Sequence, residues 1–328
     1  MSKLVTIYGG SGFIGRYIAR RLAKEGWRVR VAVRRPNEAL FVKSYGVVGQ
    51  VEPVLCNIRD DASVRAAMAG ADAVVNCVGV LNEVGKNRFD AVQADGAGRI
   101  ARWAAAERVE RLVQISAIGA DPASPSQYGR SKAEGEAQVL AAFPEAVILR
   151  PSILFGQEDQ FFNRFAGMAR FGPILPVVGA KTRFQPVYVD DVALAAVKAV
   201  TGDVEKGVYE LGGPDVATFR ELMHQMLAVI QRRRLVLNVP FFLARIMATA
   251  FDAVQMLTLG LVTNGLLTRD QVRNLSRDNI VTPGARGLAD LGIEPTALGA
   301  VLPEYLWRYR EAGQFAAIKD SAKNLRKA

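Results

Sequence analysis

Leu4-Val5-Thr6-Ile7-Tyr8-Gly9-Gly10-Ser11-Gly12-Phe13-Ile14-Gly15 decides how the chain is read. A β-like run, Leu4 to Tyr8, meets a glycine cluster, and an amphipathic helical stretch, Tyr17 to Lys24, follows. Strand, glycine turn and helix in that order make a glycine motif into a dinucleotide site. Gly9 permits the tight turn, Gly12 lets the backbone approach a pyrophosphate, and Gly15 lets the helix lie close to the strand. Ser11, Phe13 and Ile14 complete the turn. The helix N-terminus then offers free N–H groups and partial positive charge to phosphates.

Apolar runs and helical patterns alternate outward from this motif. Strands are expected at Val29–Val33, Val51–Leu55, Ala73–Val78, Leu112–Ser116 and Ala146–Leu149. Helices are expected at Ala62–Ala69, Gly96–Ala106 and Tyr128–Ala142, with Asp60 as an N-cap. Such alternation predicts an α/β fold: a Rossmann-like, doubly wound parallel sheet whose ligand lies at the carboxyl ends of the strands. After Arg150-Pro151 the pattern turns irregular. Strand-like segments recur at Gln185–Val189 and Tyr209–Leu211, and from Thr218 onward the chain reads as helical. The expected division is a dinucleotide-binding core over 1–150 and a smaller, mostly helical C-terminal lobe over 151–328, with core strands recurring near 185–211.

The position after strand two sets the cofactor preference. NAD-binding folds usually carry Asp or Glu there to hold the ribose 2′-hydroxyl. This chain has Arg34 and Arg35. Arginine forms charge-assisted bonds to a 2′-phosphate that a carboxylate would repel, so NADPH is expected. The alternative is a pair of solvated surface arginines. Asn57 and Ile58 fall where an adenine would lie, and Val78-Gly79 ends strand four with room for a ribose or nicotinamide.

The 328 residues carry a formal charge of +10, which points to an acidic partner: protein, anionic lipid or nucleic acid. No basic-aromatic stacking array or known nucleic-acid motif supports the last. Cys56 and Cys77 have no metal spacing and are expected to be reduced buried thiols, and no metal site is expected. The lone His224 is read as structural. No leader peptide is expected, because the first strand begins at Leu4. The longest apolar stretch, Val239 to Leu267, is interrupted by Arg245 and Asp252, so no transmembrane helix is expected.

Tyr128 and Lys132 form a YxxxK pair on one helix face. An ammonium near a phenol should lower the phenol pKa and fit it for acid–base work at a carbonyl or alcohol. The alternatives are an exposed helix pair, or two residues that only hold a nicotinamide ribose.

With Gly9–Gly15, Asn76–Gly79, Tyr128 and Lys132, Arg150-Pro151-Ser152 and the QPVYVDDVA segment Gln185–Ala193, the chain resembles the extended or atypical branch of the short-chain dehydrogenase/reductase superfamily. The resemblance implies that Pro151 lies at the cofactor and that a Ser or Thr after strand five completes a catalytic set. Ser116 stands there. Two residues later, where extended members often carry the hydroxyl, stands Ile118. Tyr128, Lys132 and Ser116 are therefore an incomplete or vestigial triad.

The segments Phe143–Gly179, QPVYVDDV and Leu267–Val272 are similar to a narrower family, the NADPH-binding accessory subunits of respiratory complex I (NADH:ubiquinone oxidoreductase). That resemblance implies a retained nucleotide, no part in the electron path, and docking against other complex I subunits. It implies a peripheral place on the cytoplasmic face of a bacterial inner membrane, or on the matrix side if mitochondrial. Arg232-Arg233-Arg234 beside the run Phe241–Leu259 suits a protein and membrane interface with anionic lipid headgroups. The alternative is a helix packed on its own domain. The basic tail, Lys319–Lys327, is expected to order only on a partner, the alternative being a solvated terminus. The competing function is a free NADPH-dependent reductase or sugar-nucleotide epimerase/dehydratase using Tyr128 and Lys132.

Overall fold

The computed structural model of the chain describes residues 2–258, 264 and 267–315. The tail Lys319–Lys327 and Leu259, the end of the apolar run, lie outside the described residues.

Six strands alternate with helices as the patterning predicts: β1 (Leu4–Tyr8), β2 (Arg28–Val33), β3 (Val51–Leu55), β4 (Ala73–Asn76), β5 (Arg111–Ile115) and β6 (Val147–Pro151). Between them run α1 (Phe13–Lys24), α2 (Asp61–Met68), α3 (Asp95–Ala106) and α4 (Gln127–Ala142). Beyond β6 come the short strands β7 (Leu154–Phe155), β8 (Ile174–Val178), β9 (Arg183–Phe184) and β10 (Val187–Tyr188), then β11 (Gly207–Leu211), β12 (Ala217–Thr218) and β13 (Leu235–Val239). The later helices are α5 (Phe162–Met168), α6 (Val189–Thr201), α7 (Phe219–Val229), α8 (Phe241–Leu257), α9 (Arg269–Asn274) and α10 (Leu298–Leu306).

The main sheet is ordered β3-β2-β1-β4-β5-β6-β11, and every neighbouring pair is parallel. All strands run the same way, but the order in which they are added reverses between β1 and β4. That switch point opens a crevice at the carboxyl ends of the strands. Both sheet faces are buried, which explains why the strands read as near-continuous apolar runs. One face packs under α1 and α6 through Ile18, Leu22, Val192 and Ala196. The other packs under α2, α3 and α4 through Val64, Met68, Ile100 and Val139. Arg21 grips Asp190 through two bonds of 2.7 Å, pinning α6 to α1. Asp60 caps α2 by accepting from Ser63 N at 2.7 Å.

A second core gathers around Phe155, Phe162, Leu175, Phe219, Met223, Met226 and Tyr305, from β7, β8, α5, α7 and α10. The helical reading beyond Thr218 needs correction: Leu235–Val239 is a strand, paired in parallel with Ile174–Val178. Its inward Val236 is buried while Leu235 and Leu237 stay exposed, a period of two. His224 is an exposed residue of α7.

Candidate dinucleotide-binding site

The crevice is built on the turn after β1. Gly9 has φ +74°, a left-handed conformation that glycine adopts freely, and a Cβ there would press on Val78 and the Cys77 backbone at 3.2–3.3 Å. Gly15 is closed in more tightly: a Cβ would sit 2.5 Å from Gly9 O and 2.6 Å from Gly10 Cα. Gly12 is exposed and caps α1 with no side chain, and no acidic residue stands in the first turn. The N–H groups that open α1 are therefore left to a ligand. Ser11 is half-buried, its carbonyl accepting from Arg16 Nη2 at 3.1 Å. Phe13 and Ile14 are half-buried, and Phe13 lies edge-on to Tyr17 at 6.1 Å.

Arg34 and Arg35 follow β2, and both are exposed. They differ in one respect. Arg35 is paired with Glu38 at 3.0 Å, whereas Arg34 pairs with no carboxylate among the described residues. Asn57 spends its carbonyl on Arg59 N at 3.2 Å, and Ile58 is buried beneath Gly96. At the end of β4, the fully buried Asn76 donates to Gln114 Oε1 at 2.9 Å and accepts from Val78 N at 3.0 Å. That lock sets the turn that leaves Gly79 exposed. Pro151, at the end of β6, is buried, and its carbonyl accepts from Ile118 N at 3.0 Å.

Lys132 is the electrostatic centre. It is 6% exposed, and its one hydrogen bond among the described residues is to Ile115 O at 3.4 Å. Burial pushes its ammonium down to about 8, against the pull of Glu136 and Cys77. Its Nζ stands 5.9 Å from the Tyr128 ring centroid. The expected lowering of the phenol is absent. Burial instead raises Tyr128 to about 12, so the phenol is neutral at pH 7. Phe89 packs edge-on against that ring at 5.9 Å.

Two buried side-chain oxygens find no partner among the described residues: Gln93 Oε1, which with Lys132 Nζ faces Gly79, and Ser116 Oγ, on the residue after the Ile115 carbonyl that Lys132 bonds. Gln93 lies in a one-turn π-helix, Asp90–Ala94, a local geometry common at functional sites. No sequence pattern singled out Gln93, and only the π-turn turns it toward Gly79 and Lys132. Orphaned polar atoms, a poorly satisfied ammonium and a bare helix N-terminus around one crevice fit a long polar anion such as a dinucleotide. Ile118 is buried and offers no hydroxyl. Burial raises Cys56 to about 11 and Cys77 to about 12, which leaves both as unreactive free thiols.

A distant C-terminal segment is tied to the start of α4 and to the loop after β4. Asp270 of α9 accepts from Ser126 Oγ at 2.7 Å, Gln127 N at 2.7 Å and Tyr128 N at 3.1 Å, capping the helix that carries Tyr128 and Lys132. Gln271 donates to Asn82 Oδ1 at 2.9 Å, and Gln255 donates to Glu83 O at 3.3 Å. α4 is held at mid-length by Glu136, whose carboxylate binds Arg150 at 2.6 Å.

Residues 5–212 match the description "NAD dependent epimerase/dehydratase family". "NADH dehydrogenase (ubiquinone) 1 alpha subcomplex subunit 9, mitochondrial" of Arabidopsis thaliana is 36% identical over 316 residues, 94% of this chain and 79% of that one. The "NADH-ubiquinone oxidoreductase 40 kDa subunit, mitochondrial" of Neurospora crassa is 30% identical over 306 residues, 93% of this chain and 79% of that one. Among solved structures, the UDP-glucose 4-epimerase of Thermus thermophilus in complex with NAD superposes with TM-score 0.68 at 19% identity, over 94% of this chain and 99% of that one. The chain therefore belongs to the NAD dependent epimerase/dehydratase family, and within it to the branch of the NADH dehydrogenase (ubiquinone) 1 alpha subcomplex subunit 9 proteins.

Proposed function

We propose that this chain is an accessory subunit of respiratory complex I that holds NADPH as a retained, non-reacting ligand. Membership is supported by relatives at 30–36% identity over more than nine-tenths of the chain. The reading of no turnover rests on a tie between distant segments: Asp270, Gln271 and Gln255 bond to the first turn of α4, which carries Tyr128, and to Asn82 and Glu83, and so hold this end of the crevice fixed. Ile118, which offers no hydroxyl, agrees with this reading.

In the proposed arrangement the backbone of Gly9 to Gly15, with Ser11, Phe13 and Ile14, holds the pyrophosphate. Arg34 holds the 2′-phosphate, with Arg35 at its flank. Asn57 and Ile58 border the adenine. Val78, Gly79, Lys132, Tyr128 and Pro151 border the nicotinamide ribose, where Ser116 and Gln93 gain partners. Bound, the dinucleotide brings a hydride donor, and this chain supplies no complete acid–base set to use it. The subunit is placed peripherally, on the cytoplasmic face in a bacterium or the matrix side in a mitochondrion. Among the described residues no helix is long and apolar enough to cross a membrane.

A test is complementation of a strain lacking this chain. Wild type and Tyr128→Phe should restore assembled complex I equally. Failure of Tyr128→Phe alone, with the variant folded and loaded, would contradict the reading. A second reading, a free NADPH-dependent reductase, rests on the Ser116 hydroxyl, buried and without a partner among the described residues. It requires oxidation of bound NADPH by an added carbonyl substrate, and loss of that oxidation in Tyr128→Phe.

A further inference from the structure

α8 is amphipathic with its apolar stripe outward. The residues it buries are small: Ala244 and Ala248 pack with Val272, Val178, Val239 and Phe241. Its large residues face solvent, with Phe242 67% and Ile246 63% exposed and Leu243 and Met247 beside them. Steps of one and four place these on one stripe. The chain enters α8 from β13 through Pro240, and the outer face of β13 is apolar too. Leu235 and Leu237 stand opposite Ile174 and Pro176 of β8, and all four are exposed. Phe171, 89% exposed, precedes β8. Leu235 N donates to Pro173 O at 2.9 Å, which fixes that loop against β13.

Unpaired charge beside this strip is basic, since Asp252 of α8 and Glu311 are each paired with an arginine. Residues 160–189 and 222–251 contain no Asp or Glu. Of the three consecutive arginines, Arg232 reaches Glu311 at 3.6 Å and Arg234 donates to Ala169 O at 2.8 Å, so Arg233 is the one left to project. Arg170, Arg233 and Arg245 are exposed and pair with no carboxylate among the described residues.

We propose that this face, formed by α8, the β8–β13 pair and Phe171, binds the surface of an anionic phospholipid bilayer. Phe171, Phe242 and Ile246 enter the headgroup–acyl boundary, and the three free arginines meet lipid phosphates. Protruding apolar side chains ringed by unpaired cations suit a soft apolar layer under a dense field of phosphates. The inference does not rest on complex I membership, since the purified chain alone should bind.

The test is co-sedimentation of the purified full chain with vesicles of phosphatidylcholine alone, or of phosphatidylcholine mixed with anionic phosphatidylglycerol. Binding should require the anionic lipid and weaken with salt. Arg233→Gln and Arg245→Gln should each weaken it about fivefold. Phe242→Asp with Ile246→Asp should weaken it more than ~10-fold. These side chains are exposed, so unchanged thermal unfolding and dinucleotide binding should show that the variants fold. Failure of the wild type to bind anionic vesicles, or binding indifferent to these substitutions, overturns the proposal. So does a concentration-dependent dimer abolished by Ile246→Asp, or a protein partner captured by this face from which vesicles cannot compete the chain.

Discussion

Asp270→Ala removes a carboxylate that serves three donors from 142–144 residues away in sequence. Two of those donors are N–H groups in the first turn of α4, which no intrahelical carbonyl can satisfy. A hydrogen bond to a charged group contributes about 1.5–3 kcal/mol, and the site is only partly buried. Solvent can reach the freed N–H groups, so the three bonds together should contribute ~2–3 kcal/mol rather than their sum. Unfolding entropy of about 2.1 cal/mol/K per residue, over 328 residues, makes each kcal/mol worth ~1.5 °C. Asp270→Ala should therefore unfold ~3–5 °C lower by differential scanning fluorimetry. Tyr128 sits in the turn that frays, so NADPH affinity by fluorescence titration should fall roughly fivefold, the equivalent of about 1 kcal/mol. Asp270→Asn keeps one acceptor and should lie between. An Asp270→Ala protein that melts and binds like wild type would refute the clamp as a support of α4.

Arg34→Glu should weaken NADPH by roughly 100-fold and NADH by less than about threefold, since a charge-assisted phosphate bond is lost and repulsion gained. Arg35→Gln should cost either cofactor little, because its exposed pair with Glu38 is worth at most about 1 kcal/mol; calorimetric titrations that show equal losses at both positions contradict the assignment. Gly15→Ala must displace Gly9 or α1, and dinucleotide binding should disappear in an equilibrium dialysis assay; retained affinity would mean the turn can open. Lys132, held at about 8 by burial, carries fewer protons folded than unfolded above that pH. Its contribution therefore makes stability rise between pH 8 and 9, relative to Lys132→Met, in urea titrations at each pH; parallel curves for the two proteins would contradict it.

What could be read in the sequence followed the local patterns. Residues 4–15 carry strand, turn and helix in one stretch, and the following apolar runs alternate with helical ones, so six strands and their order of helices were legible. Leu235–Val239 was not, because a two-stranded pair with an apolar outer face lacks the polar alternation of an ordinary half-buried strand. The Tyr128–Lys132 spacing is helical, as expected, yet spacing says nothing about burial, and burial moves both groups away from the paired acid–base state. Arg232, Arg233 and Arg234 look equivalent in the chain, and only their distant neighbours Glu311 and Ala169 separate them. Asp270 lay in a segment noticed for its likeness alone. Its role depends on a contact across more than 140 residues that no local pattern encodes.

The most direct measurement is to solubilise native membranes gently, separate complexes on a native gel, and identify the chain and any released nucleotide by mass spectrometry. The account predicts that the chain migrates with NADH:ubiquinone oxidoreductase and releases NADPH in about one-to-one ratio to itself, as a single-site retained ligand requires. A chain that migrates apart from that complex, or migrates with it and releases no dinucleotide, would contradict the account.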